Sequence, residues 1–315
     1  MLHNAVLTKL KELGDQSVYF EPLGGNNGDD LIEMGAMCVL EYVGIKLVPT
    51  AEEADVIVIN GSGDLSYHPG SKPIEDTRQA SLLMRFKDKQ VILLPSSSTQ
   101  INATRMVGVL KDRTAPTVLF ARDAISYGLL KALEGGSTEV FLDHDMAFGL
   151  HGGKWLTDLK KKNSEGPLLI VERFDTEGAT QPPAIYRTPV FFRSLVPSGL
   201  KSWIKKMVLG SVHQNTPFVD EASAKVKELL PSAKYTGIHA ADISLPQNHT
   251  FEDFGNAVAG ASVVVSTRLH VCILAALLGK PFIAVQFAGG NKLSGVFENS
   301  LTDFKTGKLW IRTRE

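Results

Sequence analysis

Cysteine is scarce in this chain of 315 residues, which argues against a framework of disulfides. The two cysteines, Cys38 and Cys272, lie in apolar, helix-like runs, so we expect two buried thiols in a reducing compartment. Cysteines and histidines nowhere share the spacing of a zinc site, and no metal is predicted.

Long apolar runs and a targeting signal are also missing. No run reaches the roughly 18 apolar residues that a membrane-spanning helix requires. The first residues, Met1 to Asn4, lack a basic region followed by an apolar stretch. These absences predict a cytoplasmic protein without a spanning helix.

A strong charge of either sign is absent as well. The 33 Lys and Arg residues nearly balance the 34 Asp and Glu residues, giving a net charge of -1. Because no global field attracts nucleic acid, we expect no nucleic-acid partner, and any anion site must be local. The length suits two α/β domains.

Apolar, β-rich runs alternate with helical patterns through the first half of the chain. The predicted strands are residues 17–21, 56–60, 91–95, 118–121 and 139–142. Continuous apolar runs are typical of parallel strands buried on both faces. With helical patterns such as residues 31–43 between them, they indicate a doubly wound sheet with right-handed crossovers.

A second series follows a predicted linker at residues 149–166. Its strands are predicted at 167–172, 234–236, 262–266 and 281–286, and its helices at 221–230, 251–259 and 269–278. The fold class is therefore α/β, with two Rossmann-like domains facing a central cleft. The predicted domains are residues 1–155 and 165–300, and a tail of residues 301–315 is expected to pack back on the N-terminal domain.

Residues 266–270 join a buried strand directly to an apolar helix, at the strand end where such sheets bind ligands. Ser266 or Thr267 can cap the helix, whose first N–H groups and dipole favour an anion. Arg268 adds a forked cation, and His270 can move a proton near neutrality. The alternative is that Arg268 pairs with a carboxylate across the domain interface and His270 is a core residue.

A glycine-rich turn at residues 24–30 follows the first strand and opens a helix. Its pattern is not that of a dinucleotide fingerprint. Asp29 and Asp30 either cap this helix, bind sugar hydroxyls or act as a base. Residues 60–64 end the next strand with a similar turn, which favours a ligand-lined cleft, and His68 is a further candidate.

Further charged residues follow other strands. Arg122 either reaches the cleft or pairs with Asp123 or Asp145. The carboxylates that flank His144 suit either acid–base work or a polar latch at the hinge. Arg173 ends the first strand of the second domain together with Glu172.

Two lysine-containing segments have open interpretations. Lys292 follows the last core strand and either contacts phosphate or is a solvated loop residue. Residues 200–208 form a basic amphipathic pattern around Trp203. That pattern is compatible with contact to an anionic membrane surface or with packing on its own domain.

Taken in order, these motifs resemble those of the polysaccharide pyruvyltransferase family over about residues 20–300. The residues that carry the resemblance are Gly25, Asn26, Asn27, Gly28, Asp29, Asp30, Gly61, Ser62, Gly63, residues 121–126, residues 145–148, residues 266–270, Ala275, Gly279, Lys280 and Pro281. Residues 176–213 match no motif of the family, so acceptor recognition is expected to differ there.

The resemblance implies a glycosyltransferase-B-like fold and transfer of the enolpyruvyl unit of phosphoenolpyruvate onto two hydroxyls of a sugar, giving a cyclic ketal and phosphate. The implied setting is exopolysaccharide or cell-surface polysaccharide biosynthesis. Phosphoenolpyruvate is the co-substrate and no cofactor is expected. The implied acceptor is an oligosaccharide or a lipid-linked saccharide. A lipid-linked acceptor would bring the cytoplasmic protein to the inner face of the membrane.

Each candidate residue has a role in this expectation. The catalytic candidates are His270, as general acid, and Asp29. The donor-binding candidates are Ser266, Thr267, Arg268, Leu269, Lys292 and a second arginine, Arg122 or Arg173. The acceptor-binding candidates are Asn26, Asn27, Gly28, Asp30, Gly61, Ser62 and Gly63.

Two other functions remain open from the sequence. A nucleotide-sugar glycosyltransferase of the same fold needs a carboxylate for the ribose after the penultimate strand, where Glu298 is the nearby candidate and comes late. A non-catalytic saccharide-binding protein is the other alternative.

Overall fold

The structure is a computed structural model that describes residues 4–63, 65, 73–162, 165–173 and 216–313. The candidates Asp64 and His68 and the basic pattern at residues 200–208 lie outside the described residues. By packing, the chain divides into two compact units. The first comprises Met1–Gly25, Asp29–Trp155 and Ser294–Asp303, and the second comprises Asn26–Gly28, Leu156–Leu293 and Phe304–Glu315.

The first unit contains a parallel sheet of six strands. Its described helices and strands are α1 (Ala5–Lys11), β1 (Ser17–Glu21), α2 (Asn27–Val43), β2 (Lys46–Leu47), β3 (Val56–Ile59), α3 (Arg78–Arg85), β4 (Gln90–Ser96), α4 (Gln100–Leu110), β5 (Thr117–Ala121), α5 (Ala124–Lys131) and β6 (Thr138–Leu142), with short 3₁₀ turns at Ile74–Asp76 and Met146–Leu150. The strand order is β2-β1-β3-β4-β5-β6.

Helices cover both faces of this sheet, which explains its continuous apolar strands. In β3, Ile57 and Ile59 pack with the cores of α3, α4 and α5. Their neighbours Val56 and Val58 point the other way and pack with α1 and α2. Because successive strand side chains alternate between faces, every residue of such a strand is buried and must be apolar.

The second unit contains a parallel sheet of five strands. Its described elements are α6 (Lys154–Lys161), β7 (Leu168–Val171), α7 (Pro217–Leu229), β8 (Ile238–Ala240), α8 (Phe251–Gly260), β9 (Val263–Ser266), α9 (Leu269–Leu277) and β10 (Phe282–Phe287), then, after α10 (Lys292–Val296) and a π turn at Phe297–Leu301 that belong mostly to the first unit, β11 (Gly307–Arg312). The strand order is β11-β10-β9-β7-β8.

Both sheets have the doubly wound order 2-1-3-4-5, counted within each unit, and the first adds a sixth strand. The predicted α/β class with two parallel sheets is therefore confirmed. In each sheet the direction of strand addition reverses at one place, between β1 and β3 in the first and between β7 and β9 in the second. Ligands of such sheets bind outside the carboxyl ends of the strands at this reversal.

Several boundaries differ from those predicted. The helix predicted at residues 31–43 begins earlier, at Asn27, and the strand predicted at 234–236 lies at Ile238–Ala240. The predicted linker, residues 149–166, contains α6. The glycines and lysines of this segment favoured a linker in the sequence prediction. The helix is nevertheless packed through Leu156 and Leu159, which are buried.

The C-terminal tail, predicted to pack on the N-terminal domain, contains a strand of the second sheet instead. Strand β11 pairs in parallel with β10. Its Trp310 stacks on Phe218 with ring centroids 6.0 Å apart. The Arg312 guanidinium lies over Phe218 and Phe287 and donates from Nε and Nη2 to Glu221, at 2.7 Å in each case. These contacts attach residues 307–312 to the second unit.

Among the helices that the structure describes, none is both long and apolar enough to cross a membrane.

Candidate active site

The reversal point of the second sheet brings two predicted motifs together. Strand β7 ends in Val171 and is followed by Glu172 and Arg173, while β9 runs into Thr267. The Thr267 N–H donates to the Val171 carbonyl at 3.0 Å, and the Arg173 N–H donates to Thr267 Oγ1 at 2.9 Å. Arg173 and the turn at residues 266–268 are therefore tied to each other through their backbone.

The turn after β9 is built around the hydroxyl of Ser266, which is wholly buried. Its Oγ accepts a hydrogen bond from the Arg268 N–H at 2.9 Å. Arg268, and not Ser266 or Thr267, is the residue that caps α9, and it makes no side-chain capping bond. A guanidinium has no acceptor atom, so Arg268 cannot neutralise the electropositive end of this helix.

The Arg268 side chain forms an ion pair within the second unit. Its Nε and Nη2 donate to the two carboxylate oxygens of Asp242 at 3.2 Å and 2.5 Å. Both side chains are buried, with Arg268 7% and Asp242 3% exposed. Asp242 follows β8, the strand beside β7. The pairing predicted as an alternative thus exists, but its carboxylate comes from the same unit.

The middle of the glycine-rich motif, residues 26–28, belongs by packing to the second unit. Asn26 Oδ1 accepts from the Gly28 N–H at 2.8 Å, which makes Asn26 the cap of α2. The Asn27 side chain is buried and donates from Nδ2 to the carbonyls of Ile243, at 2.9 Å, and His249, at 3.0 Å. Residues 26–28 are therefore anchored by the segment that follows Asp242.

The His270 ring occupies the space where a side chain on Gly28 would be. The histidine is half-buried in the first turn of α9. A Cβ atom built on Gly28 would overlap His270 Nδ1 and would lie 2.9 Å from Asn26 Oδ1. The glycine is required here by the closeness of the imidazole ring. The structure thus places two of the predicted motifs, residues 26–28 and 266–270, in contact.

The two aspartates of α2 lie in its first turn, beyond the cap. A Cβ atom on Gly25 would overlap the Asp29 carboxylate, and Gly25 has a φ of +145° that side chains rarely adopt. Burial raises the pKa of Asp30, and the neighbouring Asp29 raises it further. The capping role considered for Asp29 and Asp30 is taken by Asn26, and the roles of the two aspartates toward a sugar stay predictions.

Arg122 is wholly buried in the first unit. Its Nη1 donates to Asp145 at 2.6 Å, and its Nε donates to Ser97 Oγ at 2.9 Å. The neighbouring Asp123 caps α5 by accepting from the Ser126 N–H at 2.8 Å. Of the alternatives derived from the sequence, the structure has the pair with Asp145. A guanidinium without exposed surface gives a dissolved ligand no access in this conformation.

The acid–base candidates Asp143 and His144 also form hydrogen bonds within the first unit. Asp143 accepts from the Val6 N–H and the His144 N–H, at 2.7 Å each. His144 Nδ1 lies 2.9 Å from Ser300 Oγ. These bonds join distant parts of the first unit. The acid–base role and the latch at the hinge both stay predictions.

The turn after β3 packs tightly against β4. A Cβ atom on Gly61 would overlap the carbonyl oxygen of Pro95. The Ser62 N–H donates to Ser96 Oγ at 3.1 Å, and both serines are buried. Gly63 is half-buried. Gly61 and Ser62 thus have structural reasons to be where they are, and their acceptor-binding role stays a prediction.

A buried acid at the end of β1 was not singled out from the sequence. Glu21 is 1% exposed and forms an ion pair with Arg78. The Tyr19 hydroxyl donates to Glu21 at 2.5 Å, and this hydrogen bond raises the pKa of Tyr19. The cluster fixes the strand end from which the glycine-rich turn starts.

Two further residues of the second unit are Lys292 and Cys272. Lys292 is half-buried and begins α10. Burial raises the pKa of the Cys272 thiol to about 12, so this cysteine is not a nucleophile at neutral pH. Among the described residues, no group of three or more His, Cys, Asp or Glu side chains is arranged to hold a metal ion.

Comparison with known proteins assigns the chain to a family. The sequence profile described as polysaccharide pyruvyl transferase matches residues 2–286. The chain belongs to the polysaccharide pyruvyl transferase family. Membership indicates a transferase that moves a pyruvyl group and a polysaccharide as its acceptor.

A solved structure with a similar fold comes from Klebsiella pneumoniae subsp. pneumoniae and belongs to an uncharacterized protein. The two chains have a TM-score of 0.57 and 20% sequence identity, and the match covers 97% of this chain and 96% of that one. At this identity the likeness concerns the fold alone. None of the curated proteins compared with the chain is a match.

Sequence reasoning missed Asp242 in this pyruvyl transferase. The strand before it was predicted at residues 234–236, which left Asp242 well beyond a strand end. With β8 at Ile238–Ala240, the aspartate lies two residues after the strand, in the position where ligand-binding residues of such sheets occur. Because the strand was predicted too early in the chain, Asp242 was not recognised as a residue that follows a strand end.

We expect Gly28→Ala to slow pyruvyl transfer about tenfold, because the new methyl group displaces the His270 ring. In a helix this substitution ordinarily stabilises by roughly 0.5–1 kcal/mol. Gly128→Ala in α5 is the matched control, since nothing lies within 4 Å of its Cβ position. The transfer rate and the NMR shifts of the His270 ring measure the effect. Equal rates for both variants would show that the contact has no catalytic importance.

Proposed function

We propose that this transferase takes its pyruvyl group from phosphoenolpyruvate and forms a cyclic pyruvate ketal on two hydroxyls of a saccharide unit, in exopolysaccharide or cell-surface polysaccharide biosynthesis. The observation that carries the proposal is the Arg268 guanidinium, held by buried Asp242 at the start of α9 and followed in the same turn by His270. The proposal includes a glycosyltransferase-B-like fold, which two doubly wound units in one chain support.

The donor carries a phosphate and a carboxylate and needs at least two cationic contacts. Arg268 supplies a planar fork, and the helix N-terminus supplies oriented N–H groups. We assign the second arginine to Arg173, which is bonded to Thr267 through its backbone and is half-buried. Arg122 is left out of this set because it is buried against Asp145. Lys292 is kept as a further phosphate contact.

The chemistry then requires an acid near the donor. His270 protonates the methylene carbon, which leaves an oxocarbenium-like centre on the adjacent carbon. A sugar hydroxyl attacks this centre and loses its proton, the carbon–oxygen bond to phosphate breaks, and the second hydroxyl closes the ring. One hydroxyl proton balances the proton given to the methylene carbon, and the other leaves with phosphate.

The acceptor is proposed to meet residues of the glycine-rich turn and of the turn after β3. Asp30 suits the role of the base that receives a hydroxyl proton, because a raised pKa strengthens a carboxylate as a base. Asp29 is the second candidate for this role. Both an oligosaccharide and a lipid-linked saccharide are compatible with a reaction at two neighbouring hydroxyls.

The test is release of inorganic phosphate from phosphoenolpyruvate in the presence of a panel of oligosaccharides and lipid-linked saccharides. We expect release that depends on the acceptor, together with a product whose mass increases by one pyruvate ketal. Turnover with nucleotide sugars alone would replace the proposal with a glycosyltransferase. Silence with every donor, combined with saccharide binding, would replace it with a binding protein.

A further inference from the structure

Asp242 is buried beside Arg268 and belongs to a segment that also holds the glycine-rich motif. We infer that Asp242 is a positioning residue for the donor site and that residues 242–249 align Arg268 and His270 with each other. The inference rests on the proposed function, since it concerns the binding of phosphoenolpyruvate at Arg268. Asp242 itself is not proposed to touch the substrate.

The orientation of the Arg268 guanidinium is set by Asp242. Because the carboxylate accepts from Nε and Nη2 together, the guanidinium is held at two points and the Nη1 edge has one direction. With a single hydrogen bond, the guanidinium could still rotate about the last bonds of the Arg268 side chain. A planar cation fixed in this way meets a phosphate or carboxylate with little further loss of side-chain entropy.

Asp242 is itself part of a rigid edge. The preceding residue, Ala241, donates from its N–H to the Ile170 carbonyl of β7 at 3.0 Å. The Ser244 N–H lies 3.3 Å from Asp242 Oδ1. With 3% of its surface exposed, the carboxylate has little room to move. Asp242 lies after the strand, but the Ala241 bond ties the preceding residue to the sheet, and groups held by a sheet are placed more accurately than those on free loops.

The same segment fixes the surroundings of His270. The carbonyls of Ile243, Ser244 and His249 all accept hydrogen bonds from Asn27. The residue after Asn27 is Gly28, which lies directly against the His270 ring. Residues 242–249 therefore orient Arg268, the cation expected to bind the donor. They also hold the backbone of Gly28, which the His270 ring contacts.

A purely structural ion pair makes a different prediction from a positioning pair. Loss of a structural partner lowers stability but leaves the folded enzyme with an unchanged donor KM. Loss of a positioning partner leaves Arg268 present but free to turn, so the donor KM rises while kcat, which depends on His270, changes less. The split between KM and kcat separates the two.

The experiment compares Asp242→Asn and Asp242→Glu with Asp220→Asn, an exposed aspartate of α7 that loses the same charge. Binding of phosphoenolpyruvate by calorimetry, its KM, kcat and the melting temperature are measured for each. For Asp242→Asn we expect a donor KM raised about ten- to a hundredfold, as for other small misplacements of a binding group, with kcat within about threefold. Asp220→Asn should match wild type.

Asp242→Glu keeps the charge but displaces it by one methylene group. We expect it to fold better than Asp242→Asn and still to raise the donor KM, so it decides the question if the asparagine variant does not fold. Unchanged donor KM and binding in the folded variants overturn the inference and leave the proposed function standing. Absence of phosphoenolpyruvate binding in wild type overturns the proposed function and the inference together.

Discussion

Arg268→Ala is expected to abolish measurable binding of phosphoenolpyruvate. A pair of charge-assisted hydrogen bonds contributes about 1.5–3 kcal/mol for each bond, so their loss corresponds to roughly a hundred- to ten-thousandfold weaker binding. Isothermal calorimetry with phosphoenolpyruvate measures this directly and does not depend on the identity of the acceptor.

The pair with Asp242 complicates the single variant. Removing Arg268 leaves a carboxylate buried without its partner, which costs about 3–5 kcal/mol of stability. The double variant Arg268→Ala with Asp242→Asn removes this buried charge. We expect the double variant to recover much of the melting temperature but none of the donor affinity.

The comparison has a clear contrary outcome. If the double variant binds phosphoenolpyruvate with wild-type affinity, Arg268 is only the partner of Asp242 and the anion site lies elsewhere. If the single variant binds weakly and melts early while the double variant melts normally and binds weakly, loss of the cation and loss of the fold are separated.

The sequence predicted the inner strands of both sheets because these strands are buried on two faces. The edge strand β11 was missed for the opposite reason, since its residues are half-buried or exposed and give no continuous apolar run. Strand β8 has only three residues, Ile238–Ala240, of which two are exposed. Edge strands depend on partners far along the chain, which a local pattern does not contain.

For the candidate site, too, one part was predictable from the sequence and another was not. The turn at residues 266–270 was predictable because strand, polar turn and helix are consecutive in the chain. The partners of its side chains were not, because Asp242 and Gly28 are brought there by the sheet order and by the bonds of Asn27. For Arg122, the sequence offered Asp145 as one of three alternatives, and only the geometry of neighbouring strand ends selects it.

His270→Gln is expected to lower kcat by about 10²–10⁴, the usual contribution of a positioned general acid. Glutamine has a similar reach and can still form hydrogen bonds, but it cannot transfer a proton. The donor KM should change little, because the cations at Arg268 and Arg173 are untouched. Initial rates of phosphate release at saturating donor and acceptor give the comparison.

A matched control is available on the same unit. His239→Gln alters an exposed histidine of β8 and should leave kcat unchanged. The pH profile adds a second readout, because the limb of kcat that belongs to the general acid should disappear in His270→Gln and persist in His239→Gln. A wild-type kcat for His270→Gln would assign the proton to another group. Asp30, whose pKa burial raises, is then the next residue to replace, by asparagine.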